Sequence, residues 1–249
     1  MPYNTQMTLN IAAYHFVAIA DPDSLAAQLR ASAQAGALRG TVLLAGEGIN
    51  LFLAGDEAAI HGFLDELRSD ARFASIRVKF SRSDARPFAR LKVKVKPEII
   101  SFRRSETAPL ERRAPAVDAH VLARWIAQGR DDDGKRLVLL DTRNRQEVVH
   151  GSFIDALTLP IDTFTELPDA IAPHRAALAD ATVVSFCTGG IRCEKAALWL
   201  HGEGMHNVLQ LDGGILGYFE QVGGYGYQGH CFVFDERVAL DTNLEPVTA

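Results

Sequence analysis

The chain has 249 residues, 47% hydrophobic and 23% charged, a globular balance with length for one large domain or two ordinary ones. Its net charge of −5 excludes a protein that is basic all over, so any contact with nucleic acid must use a local patch. Three cysteines are too few and odd in number for a disulfide scaffold, MPYNTQMTLN is no signal peptide, and no apolar run approaches the roughly 18 residues of a membrane span. The expectation is a reduced, soluble, cytoplasmic protein.

Residues 9–17 (LNIAAYHFV) read as a strand. Asp21 or Asp23 then caps a helix to about Ala35, with Leu25, Leu29 and Ala33 along one face, and Gly40 ends the connection. Residues 41–55 read as two strands broken by a tight turn at Gly46–Gly48. Asp56 opens a second helix to Asp70, with Ile60, Phe63, Leu64 and Leu67 at helical spacing. IRVKF (76–80) and LKVKVKPEII (91–100) are further strands. The order β-α-β-β-α-β predicts a ferredoxin-like α+β domain over residues 1–102.

Residues 103–117 hold two prolines and no hydrophobic period, and read as a linker. A helix (120–129), a strand (136–141), a buried strand (181–187), a helix (192–204) closed by Gly204 and a strand (206–211) follow. Asp212, Gly213 and Gly214 then lead into a last helix. Strands alternating with helices predict an α/β domain with a central parallel sheet over 118–226, leaving 227–249 as a tail.

Two of the three cysteines stand six residues apart in SFCTGGIRCEKAA (185–197). Cys187 closes a buried strand and a helix starts about Arg192, the place where open parallel sheets gather ligands and helix N-termini point free N–H groups outward. Gly189 and Gly190 permit unusual backbone angles, so the N–H groups of Thr188, Gly189, Gly190 and Ile191 can turn inward as an anion-binding nest. A thiol there, beside Arg192, ionises well below its free pKa of about 8.5, and the thiolate is a nucleophile. The spacing does not offer zinc its usual four ligands. A cysteine phosphatase needs arginine six positions after its cysteine; that position is Cys193, and Arg192 comes one earlier. A merely buried small Cys187 is the remaining reading, and the glycine pair with the arginine weighs against it.

C-x-x-G-x-R after a strand resembles the active-site loop of rhodanese (sulfurtransferase) domains, whose cysteine carries a persulfide. Upstream, LVLLDTRNRQEVVHGSF (137–153) resembles the rhodanese segment D-x-R-x-x-x-E-x-x-x-G-x-F, with Asp141, Arg143, Glu147, Gly151 and Phe153 in place. LQLDGGILGY resembles the segment that ends in a glycine pair before the last helix, while Asp155 stands where many relatives have glycine. CTGGIRCEKA, with PIDTF (160–164), GEGIN (46–50) and GHCFVFDERVAL (229–240), resembles one family along nearly the whole chain, the rhodanese-like tRNA uridine hydroxylases. That resemblance implies an acylphosphatase-like first domain and a rhodanese-like catalytic domain. It also implies oxygen-dependent 5-hydroxylation of the wobble uridine (U34) of tRNA through the cysteine matched by Cys187, with molecular oxygen as co-substrate. No cofactor or metal is evident otherwise. The alternative function is a thiosulfate sulfurtransferase or persulfide carrier served by a protein sulfur donor.

Between residues 77 and 104 lie ten lysines and arginines, Arg90, Lys92, Lys94 and Lys96 among them, opposed by Asp84 and Glu98 alone. Alternation in LKVKVK puts the lysines on one strand face and the valines on the other, a basic face suited to a phosphate backbone or, otherwise, to protecting a sheet edge. Phe88 and Phe102 read as core more readily than as base-stacking groups. His201 and Glu203 spell H-x-E two apart on a helix, facing different ways, so His201 reads as a surface histidine. Arg192 is expected to support the sulfur anion and Cys193 to pack in the helix or resolve an oxidised Cys187. Lys195 is expected near the substrate. Asp141 and Arg143 are read as tying the loop layer together.

Overall fold

A computed structural model describes residues 7–104 and 107–247. The opening residues 1–6, two residues of the expected linker (105–106) and the end of the expected tail (248–249) lie outside the described residues. The chain divides into two compact units, residues 1–100 with Asp235–Arg237, and residues 101–234 with 238–249.

The first unit holds β1 (Thr8–Phe16), α1 (Pro22–Ala35), β2 (Arg39–Ala45), β3 (Gly48–Gly55), α2 (Glu57–Ser69), β4 (Val78–Ser83) and β5 (Leu91–Val95). The sheet order β4-β1-β3-β2-β5 is the expected ferredoxin-like order with a fifth strand added parallel to β2. Alternate residues of the central strands, such as Leu9, Ile11, Leu51, Leu53 and Val42, are buried with Leu25, Leu29, Phe63 and Leu64 of the helices, which places the core on one face of the sheet.

Local chemistry explains the departures from expectation. Pro22 opens α1 and Asp21 makes no side-chain cap; its carboxylate instead takes an ion pair from Arg72 at 2.7 Å. Asp56 does cap α2, accepting from the Ala58 N–H at 3.0 Å. Gly40 lies inside β2 rather than ending a connection, at φ +134 where a Cβ would strike the Phe52 carbonyl. The strand expected over 91–100 stops at Val95: the Lys96 N–H makes a last rung to the Leu44 carbonyl, and Pro97 has no N–H to continue it. Val95 is exposed, so the valine face of LKVKVK is buried at Val93 only.

The second unit holds β6 (Ala116–Val117), α3 (Ala119–Gln128), β7 (Arg136–Asp141), α4 (Arg145–Val148), β8 (Gly151–Phe153), β9 (Leu157–Thr158), α5 (Leu167–Ile171) and α6 (Arg175–Leu178). It continues with β10 (Ala181–Phe186), α7 (Ile191–Gly202), β11 (Val208–Leu211), α8 (Gly214–Val222), β12 (Tyr227–Gly229), β13 (Cys231–Phe232) and β14 (Ala239–Leu240). The main sheet, β6-β11-β10-β7-β9, is parallel at every pairing. Every residue of β10 is buried, the signature of a central strand covered on both faces.

The end of the expected linker is the edge strand β6, paired with β11. Residues of the expected tail form β12, which pairs with β8, and β13, which pairs with β14. The strand expected from His206 starts at Val208, because the Asn207 side chain turns to donate to the Leu178 and Ala181 carbonyls at 2.8 and 2.7 Å. Phe102 is core, stacked on Phe164 with ring centroids 4.5 Å apart, and Phe88 is half-buried. Among the described residues no helix is long and apolar enough to cross a membrane.

Candidate active site

β7 and β10 lie side by side and parallel with Asp141 opposite Phe186, so both strands deliver their next residues to one sheet edge. Cys187 is the first residue after β10, and α7 begins four residues later, at Ile191. Gly190 precedes that helix at φ +101, a backbone that favours glycine, and its N–H donates to Cys187 Sγ at 3.2 Å. Gly189 has no such constraint, since a Cβ on it would meet nothing within 4 Å.

The loop is clamped from a second side. The first N–H groups of α8 reach it, Ile215 N–H to the Cys187 carbonyl at 2.9 Å and Leu216 N–H to the Thr188 carbonyl at 3.0 Å. This approach requires a glycine at 214: at φ +62, a Cβ there would lie 2.5 Å from the Cys187 carbonyl oxygen and 2.6 Å from the Gly190 nitrogen. The glycine pair at 213–214 thus shapes the cysteine loop from outside it.

Burial by itself pushes the Cys187 thiol up. A hydrogen bond from the Cys193 thiol, the Arg192 guanidinium and the backbone N–H groups of Arg192 and Cys193 outweigh it and bring the pKa down to about 5. Burial and the neighbouring sulfur anion push Cys193 the other way, well above the ordinary thiol range. Cys193 therefore stays protonated and stabilises the Cys187 thiolate as a donor, with its own sulfur 3.6 Å from Thr142 Oγ1. Cys187 is 0% exposed.

Two buried ion pairs underlie the loop. Arg192 grips Glu147 of α4 with both arms, Nη1 to Oε2 at 2.5 Å and Nη2 to Oε1 at 2.6 Å. Glu147 also accepts from Thr188 Oγ1 at 3.1 Å and from the Asn144 N–H at 3.1 Å. Burial pushes the Glu147 carboxyl up, and Arg192 more than reverses this, holding it below the usual carboxylate range. The Arg192 fork is thus committed to Glu147, and its support for the sulfur comes through charge and its backbone N–H. The second pair is Arg143 with Asp141, Nη2 to Oδ2 at 2.6 Å, extended to the Gly151 carbonyl at 2.6 Å and by Ser152 Oγ donating to Asp141 at 2.7 Å. It ties the ends of β7 and β8 together.

Cys187, Thr188, Gly189, Gly190, Ile191, Arg192, Cys193, Asp141 and Arg143 therefore come together. Lys195 lies on the same helix but is 0% exposed. Cys231, in the apolar CFVF, is buried and joins the network: its side chain bonds Thr188, and burial pushes its thiol up to about 12. Glu147, which the spacing argument did not single out although the D-x-R-x-x-x-E match contains it, joins the loop through Arg192 and Thr188. His201 is half-buried rather than a surface residue, with Nε2 2.7 Å from the Val208 carbonyl. Arg90, Lys92, Lys94 and Lys96 belong to the first unit, where all four are exposed.

The family profile described as "UPF0176 acylphosphatase like domain" matches residues 8–99, and that described as "Rhodanese-like domain" matches residues 122–221. The solution structure of a rhodanese-like domain from Anabaena aligns with 46% of this chain and 79% of its own, at 22% identity and a TM-score of 0.37. The tRNA uridine(34) hydroxylase of Xylella fastidiosa (strain M23) is 62% identical over 239 residues, 96% of this chain and 93% of that protein. That of Xanthomonas campestris pv. campestris (strain B100) is 68% identical over 241 residues, 97% of this chain and 95% of that protein. With identity at this level along nearly all of both chains, the chain belongs to the tRNA uridine(34) hydroxylase family, an acylphosphatase-like domain followed by a rhodanese-like domain.

Proposed function

We propose that this chain places a hydroxyl group on C5 of uridine 34 of tRNA, with Cys187 as the nucleophile and molecular oxygen as co-substrate. The observation that carries the reading is a buried Cys187 sulfur that accepts from the Gly190 N–H beside Cys193 and the Arg192–Glu147 pair, surroundings that lower its pKa, in a chain whose relatives are named tRNA uridine(34) hydroxylase. The sulfur of Cys187, as thiolate or persulfide, adds to C6 of the uracil, and the C5–C6 electron pair moves onto C5. C5 then gives that pair to an oxygen atom. Loss of the C5 proton and expulsion of the sulfur restore the ring. The net change of C5–H to C5–OH is a two-electron oxidation; the second oxygen atom leaves as water, taking two electrons and two protons from an external reductant.

The exposed Arg90, Lys92, Lys94 and Lys96 supply phosphate contacts in a chain of net charge −5. Arg192 and Cys193 act on the sulfur, while Asp141 and Arg143 hold the sheet edge that presents it. The test is the nucleoside content of tRNA from cells with and without the protein, read by mass spectrometry. The reading expects 5-hydroxyuridine and its derivatives to vanish without the protein and return when it is supplied. Unchanged tRNA, with loss of thiosulfate:cyanide sulfur transfer, would put the sulfurtransferase reading in its place.

A further inference from the structure

The first sheet has a second face that the cysteine chemistry does not use. Strand alternation puts Leu51 and Leu53 on the helix side and Phe52 on the other. Registers place Ala12 of β1 and Thr41 of β2 on either side of Phe52, Lys79 of β4 beyond Ala12, and Lys92 of β5 beyond Thr41. One row thus crosses the sheet as lysine, alanine, phenylalanine, threonine, lysine. Phe52 is 36% exposed while both its strand neighbours are fully buried. Ala12 and Thr41, its neighbours in the row, are short, and the ring keeps about a third of its surface open on a central strand, although Asn10, Asn50 and Ala54 on the same face are buried.

Charge identifies the occupant. In an acidic chain, the strand residues on this face include Arg39, Lys79, Lys92 and Lys94, and no aspartate or glutamate. At a strand spacing of about 4.8 Å, each lysine of the row stands roughly 10 Å from Phe52 along the sheet. That is within reach of the phosphates flanking a base that lies on the ring. An aromatic on a sheet face flanked by cations is the chemistry of unpaired nucleotides, whose bases stack on rings while their phosphates meet lysines. Duplex RNA keeps its bases stacked on one another and offers none to the ring.

We propose that Phe52 is a stacking platform for an unpaired base of the RNA substrate, with Lys79 and Lys92 on the phosphates to either side and Lys94 extending the track. The proposal rests on the reading that this chain acts on tRNA, and it adds the residue that recognises single-stranded RNA and the strand face that carries it.

The experiment measures fluorescence anisotropy of the full chain with a labelled tRNA transcript, a ten-nucleotide oligouridylate and an RNA duplex of that length. Phe52→Leu, which keeps apolar cover but removes the ring, weakens binding of tRNA and oligouridylate by about ten-fold or more, and Phe52→Trp restores it. Lys92→Gln reduces the slope of log K against log salt by about 0.7. The duplex competes poorly throughout. If wild type binds tRNA and hydroxylates it while Phe52→Leu binds and hydroxylates equally well, the platform is refuted and the tRNA reading stands. If wild type neither binds nor modifies tRNA, both fall. If Phe52→Leu instead dissolves a dimer and leaves RNA affinity unchanged, the face belongs to a second copy of the chain and the platform is refuted.

Discussion

Gly214→Ala tests whether α8 sets the shape of the cysteine loop. The new methyl group would lie 2.5 Å from the Cys187 carbonyl oxygen, 2.6 Å from the Gly190 nitrogen and 2.8 Å from the Gly189 carbonyl carbon. All three are main-chain atoms, so no side chain can swing aside. A Cβ in left-handed backbone costs about 1 kcal/mol or more, and forced overpacking adds about 1–3 kcal/mol. The sum is about 2–4 kcal/mol of lost stability. Relief requires α8 to withdraw, which breaks the bonds from Ile215 and Leu216 to the loop and carries Gly190 away from the sulfur. Urea unfolding reads the first effect; thiolate absorbance near 240 nm, titrated with pH, reads the second as a rise in the Cys187 pKa. Gly189→Ala is the control, because its Cβ meets nothing, and it is expected to be neutral or slightly stabilising. A Gly214→Ala protein as stable as wild type, with Cys187 still titrating near 5, would refute the clamp.

The thiol itself links stability to pH. Its folded pKa of about 5 lies below the free thiol value of about 8.5, so between the two the unfolded chain binds the extra proton. Its contribution is fully present above about pH 9 and is lost as pH falls through 5; urea midpoints measured across that window should rise with pH less steeply in Cys187→Ser than in wild type. Equal slopes would place the thiol's pKa near the ordinary value. Glu147→Gln leaves the buried Arg192 charge without its bidentate partner and is expected to cost about 3–5 kcal/mol by denaturant unfolding. A loss under about 1 kcal/mol would mean that the pair does not hold the loop.

Much of the fold is legible because period and burial agree. Residues 181–186 are apolar apart from Thr182 and Ser185 and are buried throughout, and α2 shows Ile60, Phe63, Leu64 and Leu67 at the spacing its core face requires. The placement of Cys187 is legible for a related reason, since the apolar run before it and the glycines after it mark the end of a buried strand and the start of a helix. What the sequence conceals is pairing across the chain. Glu147 stands 45 positions from Arg192, and only the fold makes them partners. Gly214 reads as one of a pair before a helix, and its closeness to the Cys187 loop has no local mark. Lys195 gives no local sign of its burial: α7 carries charged and apolar residues around its whole girth, so no stripe in its sequence reveals that this lysine is enclosed. The alternation in LKVKVK gives the face of Lys92 and Lys94 correctly, whereas Phe52 hides inside an apolar run whose neighbours are core.

The central claim is that the Cys187 sulfur, and not its neighbour, attacks the uridine. Wild-type, Cys187→Ser and Cys193→Ala proteins, each expressed in cells lacking the native one, give tRNA whose nucleosides are counted by mass spectrometry. The account predicts no 5-hydroxyuridine with Cys187→Ser and a reduced but measurable amount with Cys193→Ala, which loses a hydrogen bond to the Cys187 sulfur but keeps the nucleophile. Full hydroxylation by the Cys187→Ser protein would contradict it.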